Sequence, residues 1–221
     1  PVTFMMDRGG LARPHGPTHH GAFDIAYMRI FPNMVVMAPG DNGDLETMLD
    51  FALRHDSPCG IRYPKANIFT LETQRAPLEL GKAEVLHWSP EGVILCAGAL
   101  LPDCIEAAQR LKEEGVDIGV VNMRFVKPID REIVARAFRE CQFVVTVEEG
   151  CLQGGFGAAV LEAAEELGVL APKVKRLGIP DRFIEHGERH ELLADCGLDA
   201  LSIAQTCRDM VAKQTQNSAA L

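Results

Sequence analysis

Apolar runs and amphipathic stretches alternate from the first residues. Residues 2–6 form a strand-length apolar run, and a Gly/Pro/His-rich loop from 7 to 21 follows. A short helix is expected at 24–30 and a strand at 34–37. Leu45, Met48, Leu49 and Ala52 recur at helical spacing and make one apolar face. Asp41, Asn42 or Asp44 stands where a cap belongs. Residues 59–63 are another short strand, ended by Pro64. The rhythm lapses between 66 and 80, where Asn67, Thr70, Thr73, Gln74 and Pro77 separate isolated apolar residues. This stretch reads as an inter-domain linker running over a surface.

A second series follows it. Strands are expected at 83–87, 93–97, 119–123, 143–147 and near 174–177, and helices at 102–113, 131–141, 157–167 and 200–213. Strands alternating with helices imply parallel pairing and an α/β fold. The pattern divides the chain into a partial α/β domain at 1–68, a linker at 69–81, a complete small α/β domain at 82–213, and a frayed polar tail at 214–221. The chain starts at Pro1 inside a strand-like run, without an initiator Met. It therefore reads as a fragment whose preceding residues are missing, since a lone core strand would leave an open edge.

The formal net charge of −9 argues against non-specific nucleic-acid binding, which needs a basic surface. No apolar run approaches membrane-helix length and no signal pattern opens the chain, so a cytoplasmic protein is expected. The seven cysteines are scattered and contain no C-x-x-C pair, which suits a reducing compartment. None is nominated as a catalytic thiol.

Three segments could carry chemistry. The loop Asp7-Arg8-Gly9-Gly10-Leu11-Ala12-Arg13-Pro14-His15-Gly16-Pro17-Thr18-His19-His20-Gly21 follows a parallel strand, where α/β proteins bind ligands. Its glycines and cations would let an anion approach closely. The competing reading is a polar surface loop. Zinc binding by His15, His19 and His20 with Asp7 or Asp24 is disfavoured, because Gly16-Pro17 prevents the helix that would make the histidines converge. Arg62 and Lys65, in Arg62-Tyr63-Pro64-Lys65, form a second cationic candidate; a solvated strand end is the alternative. The third segment, Glu148 to Gly157, is a Gly-rich strand-to-helix turn. It lacks nucleotide-binding spacing and carries two glutamates that repel anions, so it reads as a tight turn and packing.

Several blocks together resemble the 1-deoxy-D-xylulose-5-phosphate synthase family. They include Asp7-Arg8-Gly9-Gly10, Thr18-His19, Gly21-Ala22-Phe23-Asp24, Arg62-Tyr63-Pro64-Lys65, Arg124-Phe125-Val126-Lys127-Pro128-Ile129-Asp130, Gly154-Gly155-Phe156-Gly157 and Gly178-Ile179-Pro180-Asp181. The resemblance runs in order from Pro1 to about Met210. It implies the back half of a thiamine-pyrimidine-binding domain followed by a transketolase-like C-terminal domain. The implied activity joins pyruvate to D-glyceraldehyde 3-phosphate with loss of CO2, for isoprenoid-precursor, thiamine and pyridoxal synthesis. It uses thiamine diphosphate and Mg²⁺ in a homodimer.

The resemblance makes His19 the active-site histidine, and Arg8 and Lys65 the cations for the acceptor phosphate. Lys65 stands where the family usually has Arg; it keeps the charge and loses the fork. His15 stands where many members have Asp. The Gly-Asp-Gly and Asn pattern that holds the metal and diphosphate is absent from these residues, as is the family's activating Glu. The chain alone is therefore expected to bind neither cofactor nor metal and to be inactive. Two other readings are a non-catalytic transketolase-like partner subunit and a beta-type subunit of a 2-oxoacid dehydrogenase. The D-R-x-G, T-H and R-Y-P combination weighs against the latter.

Overall fold

The structure, a computed structural model, describes residues 1–12, 16–67, 69–72, 75–169 and 173–218. The first unit contains β1 (Thr3–Met6), α1 (Asp24–Arg29), β2 (Val35–Met37), α2 (Asn42–Arg54) and β3 (Cys59–Arg62). The second begins with β4 (Glu84–His87), β5 (Val93–Ala97), α3 (Leu101–Glu113), β6 (Gly119–Asn122) and β7 (Phe125–Lys127). It continues through α4 (Arg131–Glu140), β8 (Phe143–Cys151), α5 (Phe156–Glu166), β9 (Lys173–Ile179), α6 (Arg189–Asp195) and α7 (Ala200–Ser218).

In the larger sheet, ordered β4-β6-β5-β8-β9, all pairings are parallel except β4 with β6. Both faces of its centre are covered, which is why β5 and β8 are continuous apolar runs in the sequence. Along β5 the faces alternate. Ile94 and Cys96 pack with Cys104 and Ala107 of α3 and Ile203 and Cys207 of α7. Val93, Leu95 and Ala97 pack with Val134 and Phe138 of α4 and Val160 of α5.

The smaller sheet has the order β1-β3-β2-β7. Its first three strands are parallel, and β7 joins β2 antiparallel. The two units are thus interlocked, because β7 comes from the second and completes the first unit's sheet. The sequence suggests one strand at 119–123; instead β6 ends at Asn122, Arg124 takes φ 50°, and β7 follows in the other sheet. Ile25, Met28 and Val36 of the first unit share a core with Val93 and Leu95.

The stretch between the units departs from a simple surface linker. Arg75 Nη2 lies 2.7 Å from both Asp44 and Glu84, and Arg124 Nε lies 3.0 Å from Asp44. Asn122 donates to Asp44 at 2.7 Å, and Arg124 also donates to the carbonyls of Ala76 and Pro77. Three smaller expectations are corrected. Leu49 is 38% exposed, not on the buried face of α2. The polar C-terminal residues continue α7 as far as Ser218. Helix α6 lies in a segment for which no element was expected.

Candidate active site

The loop after β1 is held from beneath by β3. Arg62, at the end of β3, is covered by the loop itself: a Cβ on Gly9 would lie 2.7 Å from the Arg62 Cγ. Its side chain is 2% exposed, and Nε donates to both Asp24 oxygens at 2.9 Å. Its Nη2 donates to the Gly21 carbonyl at 3.0 Å and to the Glu149 carbonyl. Arg62 is therefore a tie across the base of the loop and not the phosphate-facing cation the strand-end position suggested. Asp24, weighed in sequence as a zinc ligand, is consumed by the same contact.

Glu149, at the end of β8, accepts from the Leu11 N–H at 2.8 Å and pairs with Arg189. Gly10 is required here on two counts: its φ is +89°, and a Cβ would overlap the Glu149 carboxyl group. His20 makes the third anchor. Its Nδ1 accepts from the Ala12 N–H at 2.8 Å, so the ring proton sits on Nε2, which donates to the Ile184 carbonyl at 3.1 Å. Sequence reasoning missed Glu149 and His20 as anchors. Their partners lie 138 and 164 residues away.

Arg8 and Lys65 follow the adjacent parallel strands β1 and β3. The strand ends are laced together by Tyr63 N–H to the Met6 carbonyl at 3.1 Å and Gly9 N–H to the Tyr63 carbonyl at 2.9 Å. Arg8 takes φ 61°, a left-handed conformation uncommon for a side-chain-bearing residue. Its buried Nε has no hydrogen-bond partner among the described residues. His19 is exposed near the loop's tip; its N–H donates to the Gly16 carbonyl at 3.0 Å, and Nδ1 lies 2.9 Å from Thr18 Oγ1. His15 lies outside the described residues. Lys65 lines a cleft of about 570 Å³ between the units, with Asp103 and Arg189; Arg8 and His19 do not line it. Burial raises the Asp103 carboxyl to about 6, with nearby Arg189 opposing and Glu149 reinforcing the shift.

The Glu148–Gly157 turn is a packing device. The buried Glu148 carboxylate accepts from the N–H groups of Phe156 at 2.6 Å and Gly157 at 2.8 Å, closing the N-terminus of α5. Burial pushes its acidity down, raising the pKa against the pull of those two N–H groups. Burial likewise raises the thiols of Cys141 and Cys196 to about 11 and Cys207 to about 12, which leaves them poor nucleophiles. Among the described residues, no group of three His, Cys, Asp or Glu side chains converges to hold a metal. The buried carboxylates of Asp24, Asp41 and Asp44 are engaged with arginines. The described residues do not fit a Mg²⁺–diphosphate group.

Residues 1–70 match the family model of the transketolase pyrimidine-binding domain, and residues 81–203 match that of the transketolase C-terminal domain. The chain belongs to the transketolase family. Among this transketolase-family chain's curated relatives, the 1-deoxy-D-xylulose-5-phosphate synthase of Rhodopirellula baltica is 51% identical over 209 residues. The alignment covers 95% of this chain and 33% of that protein. The 1-deoxy-D-xylulose-5-phosphate synthase 1 of Geobacter metallireducens is 48% identical over 210 residues, covering 94% of this chain and 34% of its own. The chain thus spans about a third of the length of these relatives.

A solved structure described as a split gene transketolase, inactive beta4 tetramer, superposes with a TM-score of 0.81 at 29% identity, covering 96% of this chain and 66% of that one. The transketolase of Campylobacter jejuni superposes with a TM-score of 0.72 at 20% identity, covering 94% and 31%, and shows the fold alone.

Proposed function

We propose that the chain is the C-terminal part of a 1-deoxy-D-xylulose-5-phosphate synthase, which condenses pyruvate with D-glyceraldehyde 3-phosphate and releases CO2. Residues 1–68 are the back half of the pyrimidine-binding domain, 69–81 the connection, and 82–213 the C-terminal domain. The observation that carries the reading is Arg8. It is a strained arginine with an orphaned donor, set beside the β3 end that bears Lys65. A buried donor without a partner is costly, and an anionic ligand would supply one. Arg8 and Lys65 hold the acceptor phosphate, and His19, with His15, moves protons at the reacting hydroxyls. Thiamine diphosphate and Mg²⁺ supply the carbanion chemistry and are held by residues other than those described.

The test is a chimera joining this chain to the remaining two thirds of the Rhodopirellula relative. It is expected to form deoxyxylulose phosphate. Arg8→Gln should raise KM for the phosphorylated acceptor more than it lowers kcat, and His19→Ala should lower kcat. A folded chimera that exchanges sugars but does not condense pyruvate would overturn the assignment. The 221-residue chain alone, supplied with thiamine diphosphate and Mg²⁺, is expected to bind no cofactor and make no product; turnover there would refute its inactivity.

A cytoplasmic homodimer belongs to the same proposal. The apolar side chains of Phe4, Phe23, Tyr27, Ile30 and Phe31 are exposed and are suited to burial against another surface. Light scattering of the chimera checks this. The likeness to the split-gene chain favours one second reading, a naturally separate transketolase-like partner subunit. That subunit would gain activity on simple mixing with a complementary chain.

A further inference from the structure

Backbone bonds close the neck of the loop after β1. The Gly10 N–H donates to the Gly21 carbonyl at 2.9 Å, and the Gly21 N–H donates back to the Gly10 carbonyl at 2.8 Å. One step farther out the His20 ring takes over from the backbone, accepting from the Ala12 N–H at 2.8 Å. Beyond that pair lies the turn in which the His19 N–H reaches the Gly16 carbonyl. On its other side the ring donates to the Ile184 carbonyl at 3.1 Å, in the connection between β9 and α6 of the second unit. We propose that His20 is a positioning residue for the neighbouring His19: its neutral ring fastens the neck of the loop to the C-terminal unit, and protonation undoes the fastening. The inference rests on the reading of His19 as the residue that moves protons, and concerns how that side chain is kept in place.

An imidazole serves both partners in one state only. A ring nitrogen either carries a proton or accepts one, so the Ala12 bond needs a bare Nδ1 and the Ile184 bond needs Nε2–H. Protonation makes both nitrogens donors, and Nδ1–H then faces the Ala12 N–H. Ala12 is buried, so its N–H has no ready water to turn to, and an unmet buried donor is costly. The bond to Ile184 survives protonation and the bond to Ala12 does not. The loop therefore opens at its neck while the ring stays on the C-terminal unit. Neither ring nitrogen meets a carboxylate: one faces the Ala12 N–H and the other the Ile184 carbonyl. Among the ionisable groups on the surrounding elements, Glu149 of β8 is taken up by the Leu11 N–H and Arg189, and Asp24 of α1 by Arg62. Glu185 and His186, just after Ile184, are exposed, with His186 against Gly16, and Glu188 begins α6. Within the loop, Arg8 precedes the neck and His19 is exposed beyond it.

The first test uses the full 221-residue chain carrying nitrogen-labelled histidine. With the ring neutral, the His20 resonances should show the Nε2–H tautomer. As the ring takes up its proton, the protection of the Ala12 amide against hydrogen exchange should fall about tenfold, along the same titration curve. His20→Asn puts an oxygen where Nδ1 stands and does not titrate. It should keep the Ala12 amide protected and hold that protection constant over the same pH interval. His20→Ala should lose it at every pH. An Nδ1–H tautomer, or an Ala12 amide indifferent to protonation of the ring, overturns the proposal.

The second test places the same variants in the chimera. His20→Ala should lower kcat about tenfold while the acceptor KM stays within about twofold, because Arg8 and Lys65 are untouched. His20→Asn should recover most of the lost kcat. A His20→Ala chimera with native kcat, or a His20→Asn chimera as slow as His20→Ala, refutes the positioning role. A native chimera that forms no deoxyxylulose phosphate counts against the synthase reading alone, and the resonances of the 221-residue chain then decide the role of His20.

Discussion

Arg62 and Lys65 stand three residues apart in one motif, and both are cationic residue types. Their surroundings separate them: Arg62 lies under the β1 loop against Asp24, and Lys65 lies past the proline, exposed at the cleft. Arg62→Met would strand the Asp24 carboxylate in the interior. Removing one member of a buried pair costs about 3–5 kcal/mol, so urea unfolding should show a loss of that size. Asp24→Asn in the same background should recover part of it.

Asp103 gives a pH-dependent counterpart. Its folded pKa of about 6 lies above the unfolded carboxylate value, so the folded chain binds its proton more tightly. That contribution is complete below the unfolded pKa and is lost as pH rises through about 6. The two-unit gap corresponds to about 3 kcal/mol, and solvent reaching the half-buried group reduces it to about 1–2 kcal/mol. Asp103→Asn should therefore stabilise the chain by about that amount near pH 8 and by almost nothing near pH 4, as read from denaturant midpoints.

Elements were legible where one physical effect dominated. The buried parallel strands β5 and β8 announce themselves because solvent touches neither face, and α2 announces itself through its cap. Asp41 accepts from the Asp44 N–H at 2.9 Å, and its second oxygen accepts from the Leu71 N–H at 2.9 Å. Asp41→Ala should cost about 2 kcal/mol and expose the first turn of α2 to hydrogen exchange; Asp41→Asn, which still caps, should cost less. Elements defined by distant partners were hidden. β7 is three residues long and exists because β2 offers it an edge. The seven-residue α6 is short and only partly apolar; it presents Leu192 and Leu193 to the core that α3 and α7 share.

For the molecule as a whole, the two units are joined by the pairing of β7 with β2 and by a shared apolar core, and the ion network around Asp44 and Glu84 ties the connecting segment to both. Burial alone would raise the carboxyls of Asp41 and Glu84, but backbone N–H donors and Arg75 outweigh it and hold both below the ordinary range. Their folded pKa values lie below the unfolded ones, so their contribution is present at neutral pH and is lost on acidification through those depressed values. On acidification below the ordinary carboxylate pKa, hydrogen exchange should accelerate first around 40–44 and 75–84, ahead of β5 and β8. Arg75→Gln should produce the same local opening at neutral pH, with about 3 kcal/mol lost, and faster proteolysis of the connecting segment.

Alternating apolar and polar periods, caps and prolines act over a few residues, so the α/β class and most elements follow from the chain read in order. The loop motif, with Arg8 and His19, is legible for the same reason, since its residue types lie close together in the sequence, and Lys65 is read from its own short motif at 62–65. Which cations meet water and which are buried, that Glu149 and His20 brace the loop, and that Arg189 shares a cleft with Lys65 were decided only by folding. Each depends on groups brought together across scores of residues, and charge, burial and hydrogen bonding have no values until those groups meet.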